Sequence, residues 1–147
     1  VKRLFDLQDC IEKGLIKKIP ASIEQAKLST SKASEVLDEA KANLDEERFN
    51  SAGIMAYVSI LNSARALLFK DGYREKSHFC VARYIEIHYG EKLDLGMIHK
   101  LDAYRETRHE IQYSATHSAT ETEAKEMVEF ANEFLEKVEG IIEEKEK

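Results

Sequence analysis

At 147 residues the chain has the length of one domain and can bury a core without disulfide or metal staples. With 43% hydrophobic and 34% charged residues it is globular in composition, and one proline with six glycines leaves room for long helices. The net charge of −6 argues against broad, non-specific binding to RNA or DNA, which needs a basic face, but does not exclude one small basic pocket.

The longest apolar runs are far shorter than the ~20 residues of a bilayer-spanning helix, and the stretch Ala64 to Phe69 is itself broken by Arg65. Val1–Lys2–Arg3 opens a mixed segment rather than the apolar stretch of a secretory leader. A cytoplasmic location without membrane contact is expected. Cys10 and Cys80 form no metal or redox motif, and in a reducing compartment two such thiols are expected to be buried or idle rather than bonded.

Taken in chain order, Leu4, Leu7, Ile11 and Leu15 share one helix face, with Gly14 and Pro20 bracketing the end of a short helix. Pro20 suits the entry of the next helix. There the seam Ile23, Ala26, Thr30, Ala33, Leu37, Ala40, Leu44 is heptad-like and rich in small residues, which lets a neighbour approach closely. Asp45 to Arg48 reads as a polar turn. Phe49, Ala52, Ala56, Ile60, Ala64, Leu67 and Leu68, widened by Tyr57 and Leu61, predict the most buried helix, ended by Asp71–Gly72 with a left-handed cap. Ser77 caps a fourth helix that Gly90 closes, and Leu93 to Tyr113 predicts a fifth. Ser114 to Ala119 lacks periodicity and reads as a loop. Thr120 and Glu123 fit a capping box ahead of a last helix with the stripe Ala124, Val128, Ala131, Leu135, Val138, Ile142. No hairpin signal, repeat or linker is visible. The expected fold is all-α: an up-and-down four-helix bundle with one or two additional short helices. Residues 1–147 form a single domain, with 1–19 a short N-terminal helix and 20–147 the bundle.

A glycine-rich phosphate loop, a Ser/His/Asp arrangement and a metal-ligand signature are all missing. No two histidines stand four apart, so neither a metal nor a cofactor is expected. The unusual segment is Tyr104 to Tyr113. On a helix Arg105, Arg108 and Gln112 fall on one side, with His109 beside Arg105. Two guanidinium forks near a histidine and a tyrosine can hold a phosphate; alternatively, both arginines pair with acids on neighbouring helices. Lys76 and His78 flank a helix start, where they can join the arginines around an anion, or Ser77 is merely a cap and His78 packs locally. Arg65, inside the most apolar helix, needs a partner: a structural salt bridge, or the pocket of Arg108. Tyr57 reads as a core residue or a ligand contact.

Four stretches carry a family resemblance: Ala52 to Tyr57 leading into Ala64 to Phe69; Gly72 to His78; Tyr104 to Tyr113; and the cap at Thr120 with the final helix. In this order and spacing, from Ser31 to Ile142, the chain resembles the HEPN family (higher eukaryotes and prokaryotes nucleotide-binding), in its small stand-alone prokaryotic form. The resemblance implies a homodimer that binds nucleotide or RNA. It also implies a frequent partner, a minimal nucleotidyltransferase, in toxin–antitoxin-like pairs. Catalytically active members are metal-independent ribonucleases that carry an arginine, a gap of four to six residues and a histidine, and two protomers bring two such motifs into one cleft. Here Arg108 matches the arginine, but Tyr113 stands where the histidine would be. From Arg105 the nearest following histidine, His109, is one residue too close. An unperturbed tyrosine, with a pKa of about 10, is a poor proton acceptor near neutrality. His109 is the substitute, though expected to point away from Tyr113. The resemblance therefore favours a nucleotide- or partner-binding module over a ribonuclease using Arg108 with Tyr113 or His109, with a plain helical scaffold as the third reading.

Overall fold

The computed structural model describes residues 4–146, with side chains as far as Glu144; Val1–Lys2–Arg3 lie outside the described residues. Among them the order is α1 (Leu7–Glu12), β1 (Ile16–Lys18), α2 (Ile23–Asp45), α3 (Phe49–Asp71), β2 (Tyr73–Glu75), α4 (His78–Tyr89), α5 (Leu95–Tyr113) and α6 (Glu121–Glu146). The fold is an all-α bundle. Its four long helices are α2, α3, α5 and α6, and α3 packs against the other three.

The small-residue seam explains the tight α2–α3 pair. Ala26, Ala33 and Ala40 of α2 and Ala52 and Ala56 of α3 are fully buried. Close approach lets side chains bond across the interface: Ser59 Oγ donates to the Ala33 carbonyl at 2.8 Å, and Ser29 Oγ to that of Asn62 at 2.7 Å. On the other side of α3, a Cβ on Gly53 would stand 3.3 Å from Ile111 and 3.4 Å from Met127, so this glycine lets α5 and α6 close in. By length and composition α3 would suffice to cross a membrane, contrary to the reading from uninterrupted runs, with a mean hydropathy of 1.4 over its most apolar window. Within the bundle, 67% of that window is buried, which accounts for its apolarity.

Helix ends follow local chemistry. Ser22 Oγ accepts from Gln25 N and starts α2, so Pro20 lies ahead of the cap rather than at the first helical position. Gly72, at φ 92°, ends α3 in the left-handed region, and Ser77 caps α4. Asp94 caps α5, two residues beyond the expected start, while Leu93 is fully buried. The Thr120–Glu123 capping box forms.

The N-terminal segment departs most from expectation. α1 starts late, behind a capping box between Asp6 and Asp9, and leaves Leu4 exposed. β1 then pairs antiparallel with β2, setting Ile16 opposite Glu75, Lys17 opposite Arg74 and Lys18 opposite Tyr73. These strands have three residues each and are separated by two long helices, so neither period-2 alternation nor a hairpin turn announces them. The cysteines also differ from expectation. Cys10 and Cys80 are buried, as expected, but joined in a disulfide across a sequence separation of 70, with Cα atoms 5.9 Å apart. The pairing of β1 with β2 carries α1 onto the start of α4, and that brings the two sulfurs together.

Candidate functional site

Three elements meet at His78. α3 contributes Tyr57 and, two turns on, Arg65; α4 begins at His78; α5 contributes Arg105, Arg108 and Gln112. His78 Nδ1 lies 3.3 Å from Tyr57 Oη and 3.5 Å from Arg108 Nη2. The Arg108 guanidinium sits over the Tyr57 ring, 5.0 Å from its centroid, and its other amino group donates to Gln112 Oε1 at 2.9 Å. Tyr57 and Arg108 both present hydrogens to the same ring nitrogen. His78 Nδ1 is therefore the acceptor and Nε2 carries the proton.

The electrostatics agree. Burial first, and then the nearby Arg108 and Arg65 guanidinium groups, hold the His78 imidazole below its ordinary 6.5, so the ring is neutral at physiological pH. Burial also pushes the Tyr57 phenol up to about 12 despite the opposing pull of Arg108, Arg105 and Arg65, so Tyr57 is a donor here and not a phenolate.

The arginines of this region fall into two kinds. Arg65 bonds Glu75 through both Nε and Nη2 at 2.8 Å. Arg83 pairs with Asp102, and Arg105 reaches Asp102 and Glu106 at 3.8 Å each. Arg83 and Arg105 also flank the Phe79 ring, at 5.0 and 5.5 Å from its centroid. Arg108 has no carboxylate partner among the described residues, and its buried Nε has no hydrogen-bond acceptor. The two arginines of the Tyr104–Tyr113 segment thus divide: Arg105 is held by acids of its own helix, and Arg108 keeps its charge available. A half-buried guanidinium without a counter-ion, beside a neutral histidine and over an aromatic ring, is a place to receive an anion.

Next to this cluster, a groove of about 820 Å³ runs between α2, α3 and β2; His78, Arg74, Lys76, Asn62 and the Arg65–Glu75 pair line it beside the apolar Leu28 and Phe69. Sequence-expected residues that come together are thus Tyr57, Arg65, His78 and Arg108, with Lys76 exposed on the groove rim and Arg105 one helical turn from Arg108. His109 and Tyr113 stand apart from them as an exposed pair. Their rings meet at a tilt of 49° with centroids 4.8 Å apart, so His109 does not point away from Tyr113. Residues four apart on a helix differ by only about 40°, and the pairing follows from that. Glu75, Phe79, Arg83 and Asp102 went unrecognised. The alternation Arg74–Glu75–Lys76 is the signal that could have exposed Glu75 as an inward acid, whereas nothing local links Asp102 to Arg83. Among the described residues no three His, Cys, Asp or Glu side chains gather where a metal could bind.

No curated protein matches the chain. The model of the HEPN domain matches residues 26–141, from the first turn of α2 to near the end of α6, and so includes every residue of the His78 cluster. With most of its length covered in this way, the chain belongs to the HEPN family.

Proposed function

We propose that the Tyr57–His78–Arg108 cluster binds the phosphate of a nucleotide or of RNA, and that the chain works as a binding module rather than as an enzyme. Membership of the HEPN family supports a nucleotide-binding or ribonuclease-type module. The observation that carries the reading is Arg108: charged, half-buried, without a carboxylate partner among the described residues and with an unsatisfied Nε. A phosphate oxygen supplies the missing acceptor, and the neutral His78 does not repel the arginine.

Titration calorimetry with AMP and ATP tests this. Arg108→Ala should weaken binding at least tenfold, the minimum for removing one charge-assisted bond to phosphate, about 1.5–3 kcal/mol. Equal affinity in the variant, or no binding by the unaltered chain, would leave the scaffold reading in its place. The family resemblance supports two wider elements of the proposal: a homodimer, and partnership with a minimal nucleotidyltransferase in a toxin–antitoxin-like pair in the cytoplasm. A monomer in light scattering at micromolar concentration removes the first, and failure of the two proteins to co-purify at native expression levels removes the second.

The second reading is a metal-independent ribonuclease, and one observation keeps it in play. The motif histidine is missing from the sequence after Arg108, yet a neutral histidine from another helix, His78, stands beside that arginine. RNA cleavage in chelator that is lost in both Arg108→Ala and His78→Ala supports this reading. Loss in His109→Ala or Tyr113→Phe instead points to the exposed pair.

A further inference from the structure

The outer face of the β1–β2 ribbon carries three cations with no acid among them. Strand alternation turns Ile16 and Glu75 inward, where Ile16 is buried and Glu75 meets Arg65, and turns Lys17 and Arg74 outward, directly opposite each other in the ladder. Lys76 follows on the side of Arg74, and its N–H, bonded to the Leu15 carbonyl at 2.8 Å, extends the pairing by one residue. Among the described residues none of the three has a carboxylate partner. Contact with the Lys17 ammonium, and then its charge, with desolvation and Arg74 adding less, holds the Lys76 amine below the ordinary lysine range.

Like charges set opposite each other in a ladder destabilise it. In a chain of net charge −6, acids to relieve that repulsion are plentiful, yet the one nearest in the strand, Glu75, is spent on Arg65. An anion from outside relieves it. The ribbon also forms one rim of the 820 Å³ groove, within the range of about 300–1,000 Å³ of small-molecule sites. Leu28, 59% exposed, and Phe69 give the groove an apolar surface on which a base can lie, while Asn62 offers polar contacts. His78 lines this groove and also touches Arg108, so the two sites share a wall.

We infer that the ribbon and groove form a second nucleotide subsite, in which Lys17, Arg74 and Lys76 hold phosphate and the base lies against Leu28 and Phe69. The ligand is either a nucleoside triphosphate or a single-stranded RNA whose next phosphate reaches Arg108. This inference rests on the phosphate-binding reading of the His78 cluster and extends it from one phosphate to at least two.

The test compares ATP and an eight-residue oligouridylate as probes, with the unaltered chain, the double variant Arg74→Gln/Lys76→Gln and Arg108→Ala. Both ribbon side chains are exposed, and glutamine keeps their length, so the fold is retained; circular dichroism checks this. The double variant should bind at least tenfold more weakly. With the oligonucleotide its log–log salt slope should shrink by about 1.4, from two lost contacts at ~0.7 each. Weakening with ATP identifies a nucleoside triphosphate, weakening with oligouridylate alone identifies an RNA strand, and either supports the subsite. Unchanged affinity in the double variant alongside loss in Arg108→Ala overturns the subsite and leaves the His78 cluster standing. Absence of binding by the unaltered chain to both probes overturns the two together.

Discussion

His78 is the residue on which three helices agree, and its protonation state has a thermodynamic consequence. Burial and the Arg108, Arg65 and Arg105 guanidinium groups, opposed by Glu75, lower its pKa in the folded chain below 6.5, the value an unfolded chain restores. Between those two values the unfolded state binds the extra proton. The stabilising contribution of the neutral ring is therefore full above pH 6.5 and is lost as pH falls towards the folded value. His78→Gln should flatten the fall in thermal midpoint between pH 7.5 and pH 5 relative to the unaltered chain. Parallel pH profiles for the two would show that the ring's charge is not what the fold resists. At this scale the sequence was only partly readable. Arg108, His78, Tyr57 and Arg65 are each picked out by residue type and position, because a basic side chain in an apolar stripe or at a helix start needs a reason. Their meeting is a matter of how α3, α4 and α5 are registered against one another, which no local pattern encodes. Nor does any local pattern distinguish Arg105, neutralised by Asp102 and Glu106, from Arg108.

At the scale of elements, the long helices were legible because each buries a continuous stripe, and a stripe of 19 to 26 residues overwhelms local exceptions. The two strands were not, since three residues hold too little pattern and their stability comes from a partner more than fifty residues away. Gly72 joins the two worlds. It ends α3 with φ 92°, and its carbonyl accepts from Ile19 N at 2.9 Å at the head of the ribbon. A Cβ there would lie 2.8 Å from the Ile19 carbonyl oxygen, with Ala21 backbone atoms at 3.1 and 3.3 Å. Gly72→Ala should destabilise by about 1–3 kcal/mol in urea unfolding, combining the left-handed penalty with displacement of backbone. It should also speed amide exchange at Ile19. A loss below about 0.5 kcal/mol would mean that the turn relaxes freely. Gly53 was likewise legible only afterwards: in sequence it is an interruption of a helix, and in the fold it makes room for Ile111 of α5 and Met127 of α6.

At the scale of the whole molecule, the segment ahead of the family match is bound to the bundle by the ribbon, by the contact of Phe5 with Phe79 at 5.8 Å and by the Cys10–Cys80 bond. Closing a loop of 70 residues restricts the unfolded chain by about 4 kcal/mol on the chain-entropy account. Cys10→Ser/Cys80→Ser should therefore lower stability by about 2–4 kcal/mol, read as a shift of the denaturant midpoint at unchanged slope. The same midpoint in the oxidised chain and in the double variant would show that the bond adds nothing. Acid-quenched thiol labelling of the protein as it stands in cells tells which form is present in the compartment where it works. The proposed cytoplasm favours two buried thiols there.

The bond also changes what counts as a continuous molecule. Cys10 and Cys80 close a covalent ring that contains the whole of α2 and α3, with the exposed turn at Glu46–Arg48 on its far side. A protease that nicks this turn leaves one piece in a non-reducing gel and two in a reducing one. A pull on the two ends of the chain passes covalently from α1 to α4, so the α2–α3 pair feels it only through packing against α4, α5 and α6.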